Sequence, residues 1–210
     1  MPNFTNETTI NKSKSTDIRR IAMIGMLSAL AFIIMYFEVP LPFLPSFYKI
    51  DFSEVPVLIG GFAMGPVAAA IIEAVKVILH LVIKGTPTAG IGDFANFIIG
   101  CGLVVPASIV YKYHKSRKSA MIGMTVGVLV MAIVGGLLNA FVLLPAYAAA
   151  FHMPMEAIIG MGTSVNPAIV DLPTLVLFAT TPLNLIKGIL ASILTLLLYK
   201  RVSPLIHGRV

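Results

Sequence analysis

The stretch SAMIGMTVGVLVMAIVGGLLNAFVLLPAYAAAF, Ser119 to Phe151, carries no charged side chain. A bilayer core is crossed by about 17 to 25 apolar helical residues, so this run alone is long enough to span one. Three further charge-free runs, Ile21 to Phe37, Val55 to Ile72 and Phe94 to Tyr111, have the same character. With 58% hydrophobic and only 11% charged residues, no Trp and a mean hydropathy of +0.95, the chain lies outside the soluble range. The composition excludes a water-soluble domain and predicts an all-α integral membrane protein.

The formal charge of +6 would suggest nucleic acid in a soluble chain, but its distribution is that of a topology signal. Basic residues fall into three clusters: Lys12, Lys14, Arg19 and Arg20; Lys112, Lys115, Arg117 and Lys118; Lys200, Arg201 and Arg209. Placing all three in the cytoplasm requires an even number of crossings between successive clusters. The expected helices are about 18–38, 54–66, 67–84, 90–112, 119–147 and 182–200, with Met64-Gly65-Pro66 as the break between the second and third. This gives six transmembrane helices with both termini cytoplasmic. Residues 1–17 are expected as a disordered cytoplasmic tail, 18–201 as the membrane domain and 202–210 as a second tail, joined by a long connection at 148–180. The first apolar run continues past Ser28-Ala29-Leu30-Ala31 and is expected to stay uncleaved.

Ionisable groups at membrane depth are costly, which makes the few inside these spans functional candidates. Glu73, Lys76 and His80 share a face of the third helix, where they either neutralise one another or relay a proton or ion. Lys187 has no carboxylate within one turn, and Asn184 lies one turn before it. Asn96 and Asn139 fall at a similar depth in the outer half of the membrane, about 9 and 12 Å below their helix ends. Singly, such amides serve as interhelical glue. Together with an unpaired lysine, they outline a pocket rich in donors and acceptors and poor in net charge, suited to a neutral molecule with amide-like edges. Phe43, Phe47, Tyr48, Phe94 and Tyr147 lie near its outer end, either to stack on a flat ring or as an interfacial aromatic belt. The proline-stiffened segment Leu41 to Asp51 is a candidate lid, with an ordinary interfacial loop as the alternative.

Other chemistry is absent. The chain contains no Gly-Lys dipeptide and hence no phosphate-cradling loop for ATP, no H-E-x-x-H and no G-x-S-x-G, and no catalytic or metal site is expected. Cys101 is the only cysteine, which excludes an intrachain disulfide. On the first helix Ala22, Gly25 and Ala29 form a small-residue stripe, available for internal packing or for docking a partner.

The lid loop and the segments KIDFSEVPVLIGGFAMGP (49–66), GTPTAGIGDFANF (85–97) and PLNLIKG (182–188) carry a resemblance. Over residues 18–201 the chain resembles the riboflavin-specific substrate-binding S components of energy-coupling factor (ECF) transporters. The resemblance implies a six-helix protein of the cell membrane that binds riboflavin as its transported ligand and needs no cofactor. It also implies docking on a transmembrane coupling protein and two ATPases, with the bilayer and not nucleic acid as its surroundings. It maps flavin-ring contacts onto Asn184, Lys187 and Asn139, and ribityl-side or gating contacts onto Asn96, Leu44 and Phe47, with Asp93 of the second segment in the same substrate-binding set. The docking stripe would be Ala22, Gly25 and Ala29. Flavin mononucleotide as a second ligand stays open. Beside this reading stand a self-sufficient carrier for another neutral heterocyclic vitamin and a membrane-embedded enzyme.

Overall fold

The computed structural model describes residues 4–45, 47–86 and 90–206, and its architecture is helical apart from one two-stranded hairpin. Helix α1 (Phe4–Tyr36) is followed by a minimal hairpin, β1 (Val39–Pro40) against β2 (Lys49–Ile50), paired antiparallel with Val39 opposite Ile50. Then come α2 (Glu54–Met64), α3 (Pro66–Ile83) and α4 (Ile91–Tyr113). A continuous helical rod follows, made of α5 (Arg117–Leu138), a π-turn (Asn139–Leu143) and α6 (Leu144–Ala150). After α7 (Met155–Thr163), a second rod joins α8 (Leu172–Leu175), a π-turn (Val176–Thr180) and α9 (Thr181–Ile206).

Five of these helical stretches are long and apolar enough to cross a membrane: Ile18–Tyr36, Pro66–Ile83, Ile91–Tyr113, Arg117–Ala150 and Leu172–Tyr199. Their outer faces expose large apolar residues such as Ile33, Val67, Ile78, Leu129, Ile133, Phe141 and Leu197, which hydrocarbon solvates and water does not. Helix α2 is shorter. Its 11 residues rise about 16 Å, because the segment before it has already descended into the molecule and buries Asp51, Ser53 and Glu54.

Several boundaries differ from expectation for local reasons. Residues 4–17, expected as an unstructured tail, continue α1: they contain neither Pro nor Gly, and extending an existing helix avoids the cost of nucleation. The 148–180 connection is largely helical, and the last membrane helix starts at Leu172, ten residues early. Pro173 sits in the first turn of α8, where its missing N–H costs nothing, and a capping box of Asp171 with Thr174 closes the N-terminus. Thr174 hydrogen bonds hold the Asp171 carboxyl below the usual carboxylate range. Pro182 and Pro145 do not break their rods. Each follows a π-turn, Val176–Thr180 and Asn139–Leu143, whose widened coil accommodates the ring that would clash with a carbonyl four residues back. The break between α2 and α3 is where it was expected: Gly65 adopts φ +95°, which side-chain-bearing residues avoid, and Pro66 opens α3. Pro106 lies inside α4, which continues to Tyr113. A Cβ on Gly127 would strike the Leu103 carbonyl, so glycine lets α5 pack backbone-close on α4.

One end of the bundle brings members of the first two basic clusters together. Arg20 Nη2 donates to Met64 O at 3.1 Å, Arg20 shares a small cavity with Lys112 and Lys115, and the Tyr111 and Tyr199 hydroxyls meet at 2.9 Å beside the C-terminal ends of α4 and α9. Two apolar clusters build the interior. The larger joins Leu58, Ile72, Leu103, Met124 and Met131 of α2 to α5 with Ala191 of α9. The smaller, toward the opposite end, packs Leu44 and Tyr48 against Leu144, Ile158, Ile169, Leu175 and Leu183.

Candidate functional site

A cavity of about 590 Å³ opens where these two clusters meet, within the size range of small-molecule sites. Its wall takes Ala95, Ile99 and Leu143 from the larger cluster and Tyr48, Ile158 and Leu183 from the smaller. Asp93, Asn96, Asn139, Asn184, Lys187 and Phe47, all expected from sequence, also line it. Leu44 does not. It is buried behind the wall in the smaller apolar cluster, where it anchors the loop. Of the outer aromatics, Phe47, Tyr48 and Tyr147 face the cavity, while Phe43 and Phe94 point outward.

Lys187 is not the unpaired lysine that α9 alone suggests. Its Nζ donates to Asp51 Oδ2 at 3.0 Å and to Asn96 Oδ1 at 3.3 Å, and lies 3.7 Å from Glu54 Oε1. Below it, Lys76 Nζ sits 2.6 Å from Glu73 Oε1, 3.1 Å from Glu54 Oε1 and 3.1 Å from Ser53 Oγ, with Lys76, Glu73 and Glu54 all fully buried. The pairing of Glu73 with Lys76 is therefore realised, but His80 turns away from it and bonds Asp93 through Nδ1 at 2.7 Å. The sequence did not single out Asp51 or Glu54 as site residues. The available signal was position: Asp51 lies between Ile50 and Phe52, and Glu54 directly opens an apolar helix, where a solvated carboxylate has no reason to be.

The other side of the cavity is set by the π-turns. Asn139 opens the first and Thr180 closes the second, and the Tyr48 hydroxyl bridges them, donating to Asn139 Oδ1 at 3.2 Å and sharing a 2.5 Å hydrogen bond with Thr180 Oγ1. Asn139 Nδ2 donates to Gly135 O and Asn184 Nδ2 to Thr180 O, so both amides are held with hydrogen-bonding capacity to spare. Tyr48 thus pins the loop expected as a lid to both rods. At the mouth, Glu38 Oε1 accepts from Lys49 Nζ at 2.7 Å and Lys84 Nζ at 2.8 Å, tying the hairpin to the end of α3. Helix α7 and the residues before it, expected only as a connection, supply Met153, Ile158 and Met161 to the wall. No cluster of metal-ligating side chains occurs among the described residues.

Away from the cavity, Ala22, Gly25 and Ala29 lie exposed on α1, and a Cβ on Gly25 would meet nothing within 4 Å. Internal packing does not account for this stripe.

Comparison with known proteins gives a consistent result. The family model described as ECF transporter, substrate-specific component, matches residues 19–199. The riboflavin transporter RibU of Staphylococcus aureus strain TCH60 is 38% identical over 186 residues, covering 88% of this chain and 90% of the relative. The riboflavin transporter FmnP of Bacillus subtilis strain 168 is 33% identical over 194 residues, covering 90% of this chain and 95% of its own. A solved structure of the S component of a bacterial ECF transporter superposes with a TM-score of 0.70 at 36% identity, covering 89% of this chain and 96% of that one.

Proposed function

The chain belongs to the family of substrate-specific components of ECF transporters, and from that premise we propose that it captures riboflavin for uptake across the cell membrane. The family consists of transporter components, not enzymes, and its members are multi-pass membrane proteins. The observation that carries the ligand assignment is the convergence of Asn139, Asn184 and Lys187 on one largely apolar cavity faced by Phe47, Tyr48 and Tyr147. The pyrimidine edge of a flavin alternates carbonyl acceptors with an N–H donor, and carboxamides complement both while the ammonium of Lys187 donates. The aromatic side chains offer faces on which the flat ring stacks.

In this reading Asn184, Lys187 and Asn139 hold the ring, and Asn96, Asp93 and Phe47 contact the remainder of the ligand. Leu44 acts through the loop it anchors. The loop Leu41 to Asp51 closes the site, with Tyr48 as its latch. The meeting of Arg20 with Lys112 and Lys115 at one end of the bundle, beside the Tyr111–Tyr199 pair, supports six crossings with both termini in the cytoplasm, the short α2 counted as the second. The membrane domain is 18–201, with 1–17 and 202–210 on the cytoplasmic side. Lacking a phosphate-binding loop, the chain draws on a separate module of a coupling protein and two ATPases, docked through Ala22, Gly25 and Ala29.

The test is the absorption spectrum of detergent-purified protein, followed by titration with riboflavin. Stoichiometric flavin bands, or quenching of added riboflavin fluorescence at a one-to-one end point, support the assignment. Colourless protein that does not quench riboflavin overturns it.

A further inference from the structure

Arg20, Lys112 and Lys115 line a second cavity of about 250 Å³, walled on one side by the turn from Gly61 to Val67 that joins α2 to α3. It shares no lining residue with the larger cavity, and no acidic side chain lines it. Arg20 spends one N–H on Met64 O, which ties the guanidinium to the turn and leaves its other donors available. The ammonium groups of Lys112 and Lys115 have no hydrogen-bond or ion-pair partner among the described residues. The preference of basic residues for one side of a membrane explains their presence at this end but not their convergence. Arg20 comes from α1, Lys112 from the last turn of α4 and Lys115 from the loop after it.

The depth of the cavity says what meets these cations. Arg20 lies in the first turn of the apolar stretch Ile18–Tyr36, Pro66 and Val67 open Pro66–Ile83, and Lys112 stands next to the end of Ile91–Tyr113. Three spans thus end around one concavity, at the level where hydrocarbon gives way to lipid headgroups. Val67 both lines the cavity and is exposed, and from it an exposed apolar stripe runs along α3 through Ile71, Ile78 and Val82. A soluble phosphate or an acidic peptide engages the cations alone. A phospholipid engages both, its headgroup in the basic cavity and an acyl chain along the stripe.

We propose that this cavity is a binding site for an anionic phospholipid, with Arg20, Lys112 and Lys115 holding the headgroup phosphate and Val67, Ile71 and Ile78 receiving an acyl chain. The site goes beyond the riboflavin reading and does not depend on it. Phosphatidylcholine carries the same phosphodiester, but its quaternary ammonium is repelled by three cations, so the site selects headgroups of net negative charge. A bound headgroup joins α1, the α2–α3 turn and α4 at this end of the bundle.

The experiment titrates detergent-purified protein with phosphatidylglycerol or with phosphatidylcholine of the same acyl chains, and counts bound lipids by native mass spectrometry. Wild-type protein is expected to bind its first phosphatidylglycerol at least about tenfold more tightly than phosphatidylcholine. Lys112→Gln with Lys115→Gln, which leaves the Arg20 bond to Met64 in place, should lower that preference at least about fivefold, and Arg20→Gln should lower it too. Where Arg20→Gln fails to fold for want of that bond, the lysine variant decides alone. Arg117→Gln with Lys118→Gln removes the same charge outside the cavity and should keep the preference. Equal affinity of wild-type protein for the two lipids overturns the site. Equal loss of preference in the two double variants also overturns it, since the attraction then belongs to the surface charge as a whole. Displacement of phosphatidylglycerol by inorganic phosphate at constant ionic strength replaces the lipid with a soluble anion. An unchanged lipid preference in Lys112→Gln with Lys115→Gln, accompanied by reduced uptake in cells carrying the full transporter, overturns the lipid site in favour of a protein partner.

Discussion

Lys187 and Asp51 stand 136 residues apart in sequence and 3.0 Å apart in space, both buried at the floor of the cavity. The pair fastens the segment before α2 to the middle of α9 and fixes where the Lys187 ammonium stands. Removing one partner of a buried ion pair costs about 3–5 kcal/mol because the other charge is left without compensation. Asp51→Asn is therefore expected to lower the thermal unfolding midpoint and weaken riboflavin binding, the loss being moderated by Glu54, which stays 3.7 Å from Lys187. Lys187→Met alone strands Asp51 and is destabilising as well. The double variant Asp51→Asn, Lys187→Met should regain stability without regaining affinity, which thermal melts and titrations of the same samples separate.

Among the described residues Asn184 makes one side-chain hydrogen bond, from its amide to Thr180 O, so truncating it is expected to leave the fold intact. Asn184→Ala should weaken riboflavin binding by about 1–3 kcal/mol, the cost of an unpaired ring group. A Cβ on Gly135 would run into the Asn184 amide. Gly135→Ala should consequently displace that side chain and lower affinity in the same direction, although alanine itself makes no polar contact. Isothermal titration of both variants checks this, and a Gly135→Ala affinity equal to wild type would show that Asn184 does not depend on that position.

The exposed stripe on α1 predicts a separation of binding from transport. Gly25→Leu adds a bulky side chain at a position whose Cβ meets nothing within 4 Å among the described residues beyond its own helix turn. Riboflavin binding in detergent should remain unchanged, while uptake by cells carrying the full transporter should fall at least tenfold, since docking through small residues tolerates no such addition. Loss of binding in this variant would return the stripe to internal packing.

The mouth clamp predicts a pH dependence. Burial raises the Glu38 carboxyl, but Lys49 and Lys84 more than reverse this and hold it below the ordinary carboxylate range. A carboxyl depressed in the folded state contributes stability above its unfolded value and loses it as pH falls through its folded value. The clamp is thus intact at neutral pH and opens only on acidification below the usual carboxylate range. Partly exposed pairs of this kind contribute about 0.2–1 kcal/mol each, so Glu38→Gln should speed riboflavin dissociation about two- to fivefold at neutral pH. Stopped-flow dissociation should show wild type and variant converging at acid pH.

The sequence by itself determined the fold class, the segregation of charge and the amides and lysine of the polar set. Long uncharged runs leave a chain no solvent but lipid, and basic clusters at matching intervals constrain how it crosses. Asn96, Asn139, Asn184 and Lys187 stood out because polar groups are rare at that depth, and the cavity receives all four. Tertiary structure decided their partners. Asp51 meets Lys187 and His80 meets Asp93 only once α2, α3, α4 and α9 are packed, and no periodicity within one helix encodes a contact across 136 residues. It also decided that Pro145 and Pro182 widen their helices instead of ending them. A proline's effect depends on whether neighbouring turns relax around it, and here the relaxed turns bring Asn139 and Thr180 to Tyr48.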